Sequence, residues 1–324
     1  LNDDTQCIVC SAGKYSTVTG RITDCVACGA GTYLNDTTTA TKHDEESDCT
    51  VCSAGKYSAI TSRTGHCDSC IAGTYLSDST TATKHVNHYD CTICSAGKYS
   101  AITSRTALCD NCIAGTYLND TTTATKHDEE SDCTVCSAGK YSNVTGGITD
   151  CDQSCIAGTY NSDTTTATKH DEQNDCAVCS AGKYSMATGA TDCDSCIAGK
   201  SISDDRTSAT LHDEQNDCVV CGAGKYSTSK TNGCVLCIAG KYNTDSSMAS
   251  KHDEELDCTV CGAGTYSVAA GRVNECDSCD SGKFIRDSSV ANKHDEQTDC
   301  TICRAGSYAT ADSKNCLKCK QGKW

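Results

Sequence analysis

The chemistry on offer in this chain is thiol chemistry. Its 32 cysteines fall into sixteen pairs, all spaced Cys-x-x-Cys except Cys151 and Cys155, which are one residue further apart. Thiols in that pattern support three outcomes. Two pairs can close a tetrahedral zinc site, and Cys-x-x-Cys followed about 14 residues later by Cys-x-x-Cys fits a zinc ribbon. A single pair can be a redox centre when a helix N-terminus in a βαβ setting lowers a thiol pKa. All of them can instead be oxidised into structural bridges. Each pair here feeds the following pair with the same phrase, so no group of four closes off as a zinc site, and no βαβ pattern frames any pair. Bridges are the reading the pattern favours, and no metal or other cofactor is expected at the sulfurs.

The elements that must position these sulfurs are copies of one block. Block openings fall at Cys7, Cys49, Cys91, Cys133, Cys176, Cys218, Cys258 and Cys300, with spacings of 42, 42, 42, 43, 42, 40 and 42 residues. A fixed period of this size marks an array whose units pack on their neighbours. We divide the chain into eight tandem four-cysteine repeats, 7–48, 49–90, 91–132, 133–175, 176–217, 218–257, 258–299 and 300–324, the last with a truncated long half. Each repeat has a short half of 12 to 14 residues between pairs, as from Cys10 to Cys25, and a long half of 20 or 21, as from Cys28 to Cys49. Both halves open on Cys-x-Ala-Gly-x-Tyr. The glycine (Gly13, Gly31, Gly55, Gly73) is expected to supply a positive φ or a close chain approach. The aromatic (Tyr15, Tyr33, Tyr57, Tyr75, with Phe284 and Trp324 as variants) is expected to pack on a disulfide and on the next unit. Ser201 breaks that rule and predicts a weaker place in the array.

Composition agrees with bridges as the source of order. Cysteine sits at the level, roughly 8–10%, that marks disulfide scaffolds, while aromatic residues are 5% with one Trp and one Phe. Blocks of about 40 residues seldom fold on an apolar core alone. Bridges at this density persist in an oxidising environment, so the chain is expected outside the cell or on its surface. There is no proline. The net charge is −16 and no basic run exists, which argues against nucleic acid or an anionic membrane as partner. No apolar run is long enough for a membrane span. The short half after Gly-x-Tyr reads as strand and turn; the Thr-rich, then acidic, long half lacks apolar periodicity and reads as loop. Read from residues, the fold class is small disulfide-rich repeats forming an elongated rod of irregular loops and short β-hairpins, with little or no helix.

Other residue groups carry weaker signals. Once per repeat comes Lys-His-Asp-Glu-x-x-Asp-Cys, as at Lys42 to Cys49 and around His127, His170, His252 and His294, degenerate in repeat two. Its carboxylates, Asp44, Glu45 and Asp48 in the first copy, form a weak Ca²⁺ candidate, set against a solvated acidic rim with local lysine pairing, which we prefer. Asn35, Asn119 and Asn143 head Asn-x-Thr acceptors for N-linked glycans. The runs Thr37, Thr38, Thr39, then Thr121, Thr122, Thr123, then Thr164, Thr165, Thr166 suit O-linked glycans or simply flexible polar loop. Hydroxyls and histidines recur as scaffold and never converge once, so no enzyme is expected.

The phrase Cys-x-x-Gly-x-Tyr with a cysteine about 14 residues on, as in Cys10-SAGKYSTVTGRITD-Cys25, resembles the cysteine-rich modules of tumour necrosis factor receptors and, more closely, the ephrin-receptor-like cysteine-rich repeats of protist surface proteins. The chain departs from these in carrying Ala where the family usually has Pro before Gly. The resemblance implies that the second cysteine of one pair joins the first of the next: Cys10 with Cys25, Cys28 with Cys49, Cys52 with Cys67, Cys70 with Cys91, Cys94 with Cys109, Cys112 with Cys133, Cys136 with Cys151, Cys155 with Cys176, Cys179 with Cys193, Cys196 with Cys218, Cys221 with Cys234, Cys237 with Cys258, Cys261 with Cys276, Cys279 with Cys300 and Cys303 with Cys316. Loops of this size give each bridge roughly 3 kcal/mol on the chain-entropy model. The knotted alternative, Cys7 with Cys25 and Cys10 with Cys28, is left open by the spacing. The implied scheme leaves Cys7 and Cys319 over. Written tail to head, CKQGKW followed by LNDDTQC makes a shortened long half, so we expect either a slice of a longer array or subunits that complete one another through a Cys319 to Cys7 bridge. The expected role is structural, a glycosylated fibre, surface coat or appendage whose partner is itself, head to tail. The runner-up is a ligand-binding or adhesive receptor ectodomain, with its reading surface in the variable short halves.

Overall fold

The structure is a computed structural model and describes residues 8–19, 25–204, 206–228, 233–286 and 289–323. Cys7 and Trp324 lie outside the described residues. The chain divides into two compact units, Leu1–Gln153 with Asp163–Asp175, and Ser154–Ser162 with Cys176–Trp324.

Within each unit the building block is a two-stranded antiparallel ribbon made from the Gly-x-Tyr phrase and the two residues inside the following cysteine pair. Lys14–Tyr15 pairs with Val26–Ala27, Thr32–Tyr33 with Thr50–Val51, and Lys56–Tyr57 with Asp68–Ser69. In the second unit Thr159–Tyr160 pairs with Ala177–Val178 and Lys241–Tyr242 with Thr259–Val260 in the same register. Ser201 keeps that register opposite Val219, buried where other long halves carry an aromatic residue. The inside of every such cysteine pair is thus a strand. Successive side chains of a strand point to opposite faces, and residues three apart are about 10 Å apart, well beyond the roughly 5.5 Å that a bridge spans. A pair held this way cannot close on itself, so one sulfur reaches back and the other forward.

The long half is more ordered than loop. Its sequence lacks apolar periodicity, yet it folds into two short 3₁₀ turns, Ala40–Lys42 and Glu46–Asp48 in the first copy, and the same pair recurs through the chain. Periodicity fails to announce them because they are local hydrogen-bonded turns of three residues, too short to present an apolar face.

The described residues share no common core. Apolar burial is broken into small clusters, each a short-half tyrosine on the next bridge and the residue after the next aromatic. Tyr15 packs on Cys28, Leu34 and Cys49; Tyr57 on Cys70, Leu76 and Cys91; Tyr266 on Cys279, Ile285 and Cys300. Repeats then join through glycine. Gly73 has φ +78°, and a Cβ there would lie 2.0 Å from the carbonyl oxygen of Ala124 in the following repeat. Gly55 meets Ser104 in the same way at 2.2 Å. Short half therefore sits on the next short half, and long half on the next long half.

Replacing Gly73 by alanine combines a left-handed backbone, on the order of 1–2 kcal/mol, with a clash against a carbonyl that cannot swing aside. Amide exchange in the two flanking repeats should accelerate at least tenfold. Gly29→Ala, where an added Cβ meets nothing within 4 Å, should leave exchange unchanged.

Candidate functional site

Fifteen disulfides stand among the described residues, running Cys10–Cys25, Cys28–Cys49, Cys52–Cys67, Cys70–Cys91 and onward in strict alternation to Cys303–Cys316, with Cα separations of 5.5 to 5.9 Å. Short halves close over 13 to 15 residues and long halves over 21 or 22. Most of the bridge sulfurs belong to buried residues, and Cys28, Cys52, Cys70, Cys94, Cys112 and Cys136 are fully enclosed. Cys319 is the one free thiol among the described residues and is half-buried. A bridge from it to Cys7 involves a residue outside that set.

The long loop is fastened by a histidine that sequence reasoning treats as decoration. His43 is 3% exposed, and His85, His127, His170, His212, His252 and His294 are fully buried. Each ring reaches the strand opening its own repeat's short half. Nδ1 lies 2.6 to 2.8 Å from the carbonyl oxygen of Lys14, Lys56, Lys98, Lys140, Lys183, Lys225 or Thr265, so it donates there. The histidine carbonyl accepts in return from the serine amide one residue past that repeat's tyrosine, as from Ser58 to His85 at 2.7 Å and from Ser100 to His127 at 2.7 Å. The only signal in the sequence is a histidine standing 27 to 30 residues after the residue between Gly and Tyr, a distance that becomes a contact only once the intervening bridge is drawn.

The carboxylates of the long loop are used locally. Asp36 accepts from the amides of Thr38 and Thr39 at 3.0 and 2.7 Å, and Asp78, Asp120, Asp163 and Asp245 hold the equivalent turns. These amide bonds keep the Asp36, Asp120, Asp163 and Asp245 carboxyls below their ordinary range, and take Asp78 down to about 2. Of the calcium candidates, Asp48 accepts from the amides of Asp44 and Glu45 at 3.0 and 2.9 Å, capping the second turn, while the Asp44 and Glu45 side chains are exposed.

The short loop carries a second device that the sequence reading missed. Arg63 grips Asp68 through both guanidinium nitrogens at 2.8 and 2.6 Å and donates Nε to the carbonyl of His66. Arg105 with Asp110 and Arg272 with Asp277 repeat the fork. Each aspartate is held below its ordinary value first by that arginine. The legible signal is Arg followed five residues later by the Asp just inside the next cysteine pair.

The glycan candidates all face solvent. Asn35, Asn119 and Asn143 are exposed or nearly so, as are Thr37, Thr38, Thr39, Thr121, Thr122, Thr123, Thr164, Thr165 and Thr166. One open depression is bordered by Phe284, Ile285, Arg286, Lys293 and Asp299, and another by Ile113, Thr116, Glu129 and Glu130. No cluster of three or more metal-ligating side chains occurs among the described residues, and no helix there is long and apolar enough to cross a membrane. No protein-family model matches the chain, and no curated protein is significantly similar to it. The chain is a tandem series of disulfide-bonded repeats, an architecture of extracellular structural proteins and ectodomains.

Asp78 supplies a pH test of the loop. Its folded value lies below the roughly 3.9 of a free aspartate, so the turn it holds is intact above pH 4 and is lost only as pH falls through about 2. The amide proton shifts of Thr80 and Thr81 should stay constant down to pH 3 and move below it; movement centred near pH 4 would contradict the assignment.

Proposed function

We propose that the chain is the repeating subunit of an extracellular fibre, surface coat or appendage, assembled head to tail and glycosylated on its exposed asparagine and threonine loops. One observation carries the reading: each repeat offers its neighbour a contact it never makes with itself. Gly73 takes the Ala124 carbonyl, Gly158 takes that of Ala209, and Gly240 takes that of Ala291, always from the following repeat. Such a contact is heterologous, and repeated between copies it generates a filament wherever its rotation does not close into a ring.

A receptor-like ectodomain is the second reading, and one place favours it. Repeat two replaces the acidic turn by Val86-Asn87-His88-Tyr89, where Tyr89 is 83% exposed with its ring 3.9 Å from that of His88. Tyr57 borders His88, and Tyr33 meets His66 edge-on.

The decisive measurement is made on the protein purified from an oxidising compartment, by negative-stain microscopy and by mass with and without reductant. Filaments are expected, together with a ladder of covalent multiples that collapses on reduction to one subunit, 33.9 kDa of polypeptide plus its glycans, if Cys319 joins copies. A monodisperse particle of unit mass at high concentration overturns the fibre and leaves the ectodomain.

A further inference from the structure

The seven enclosed histidines hold more than the loop. With Nδ1 donating to a carbonyl, a neutral ring has only a lone pair at Nε2. What Nε2 faces is again an acceptor. It lies 3.3 Å from Asp78 Oδ1 at His85, 3.2 Å from Asp204 Oδ2 at His212 and 3.3 Å from Asp245 Oδ1 at His252. At His170 it meets both the backbone oxygen of Asp163 at 3.1 Å and the carboxylate at 3.4 Å. His43 and His127 stand 3.4 and 3.3 Å from Asp36 and Asp120, within ion-pair reach though off hydrogen-bond direction. The partner position for His294 falls on residue 287, outside the described set.

A lone pair enclosed against a carboxylate is a poor arrangement, and a backbone carbonyl cannot relieve it by giving up a proton. Nor can the aspartates readily do so, because amides of the following turn already hold the carboxylate form. The remaining charges nearby do not displace the pair. Lys42 and Lys84 approach Asp36 and Asp78 only at 3.9 Å and are exposed, and position 211 carries leucine instead. The lysines that lend their carbonyls turn their ammonium groups elsewhere, Lys98 to Asn111, Lys140 to Asp150 and Lys183 to Asp192.

We propose that each of these six histidines is enclosed as an imidazolium, donating from Nδ1 to the short-half carbonyl and from Nε2 to the aspartate, so that folding takes up one proton per long loop. The bound ligand is the proton, and the array is a structure that acid tightens. Stability then falls as pH rises through the range where the unfolded chain has already released its imidazole protons, above about 6.5. The inference stands whether or not the chain polymerises.

The test is ring ¹⁵N spectroscopy of the intact, bridged protein at pH 7, with the exposed His66 and His88 as internal references. Expected are six rings with both nitrogens protonated while His66 and His88 report the neutral form in exchange. Asp78→Asn is the discriminating variant. The Oδ1 that accepts from Thr80 and Thr81 is also the atom that faces Nε2, so an asparagine oxygen can keep all three contacts but brings no negative charge to the ring; His85 alone should become neutral and proton uptake on folding should drop by about one. Enclosed rings protonated on Nδ1 only in the unaltered protein at pH 7, or thermal stability that does not fall between about pH 6.5 and 8, overturns the proposal. Should Asp78→Asn fail to fold, Asp120→Asn makes the same comparison at His127, and the spectrum of the unaltered protein decides without either.

Discussion

Everything in this chain depends on two cysteines being held at the two ends of a two-residue strand. The ribbon between Gly-x-Tyr and the inside of the following pair fixes that strand, and alternation of side chains then forbids a bridge within the pair. One sulfur is committed to the loop before it and the other to the loop after. From this single restriction come the uninterrupted ladder, the absence of a common core among the described residues and the reduction of apolar packing to one tyrosine and one aliphatic side chain per bridge.

With so little apolar surface to bury, polar groups take over tasks that a hydrophobic core performs elsewhere. The largest side chains fully enclosed among the described residues are histidines. Each is fixed at Nδ1 to a carbonyl and faces oxygen at Nε2 wherever the partner is described, and each sits where the long loop would otherwise swing free. The arginine forks at Asp68, Asp110 and Asp277 are the short-loop counterpart, bidentate and close to the bridge. Their position half out of water limits what each contributes, but each also ties the loop's own carbonyls, as Arg63 does that of His66.

The sequence is most legible where residue type alone dictates geometry. A pair of cysteines every twenty residues, a glycine two before an aromatic and a fixed period of 42 announce a repeated, bridged scaffold without reference to anything distant. The features that stay hidden depend on partners brought near by the bridges themselves. His85 and Lys56 are 29 residues apart, and nothing in their own surroundings marks them as a pair. The acidic run reads as a solvated rim because composition records charge and not the amides that charge accepts from; Asp48 and Asp78 are caps and turn-holders first. The same blindness makes two ordered turns look like loop.

The alternation of bridges also settles where tension would travel. A pull along the backbone crosses each repeat by two cysteine pairs and two disulfides, and neither the short nor the long loop lies on that route. Two strands of about 10 Å and two Cα–Cα crossings near 5.7 Å leave a taut covalent path of roughly 30 Å per repeat, where 42 unbridged residues could be drawn out to about 140 Å. Such a chain is close to inextensible while oxidised. Loops and sequence variation hang outside the line that carries the force, free to change without lengthening it.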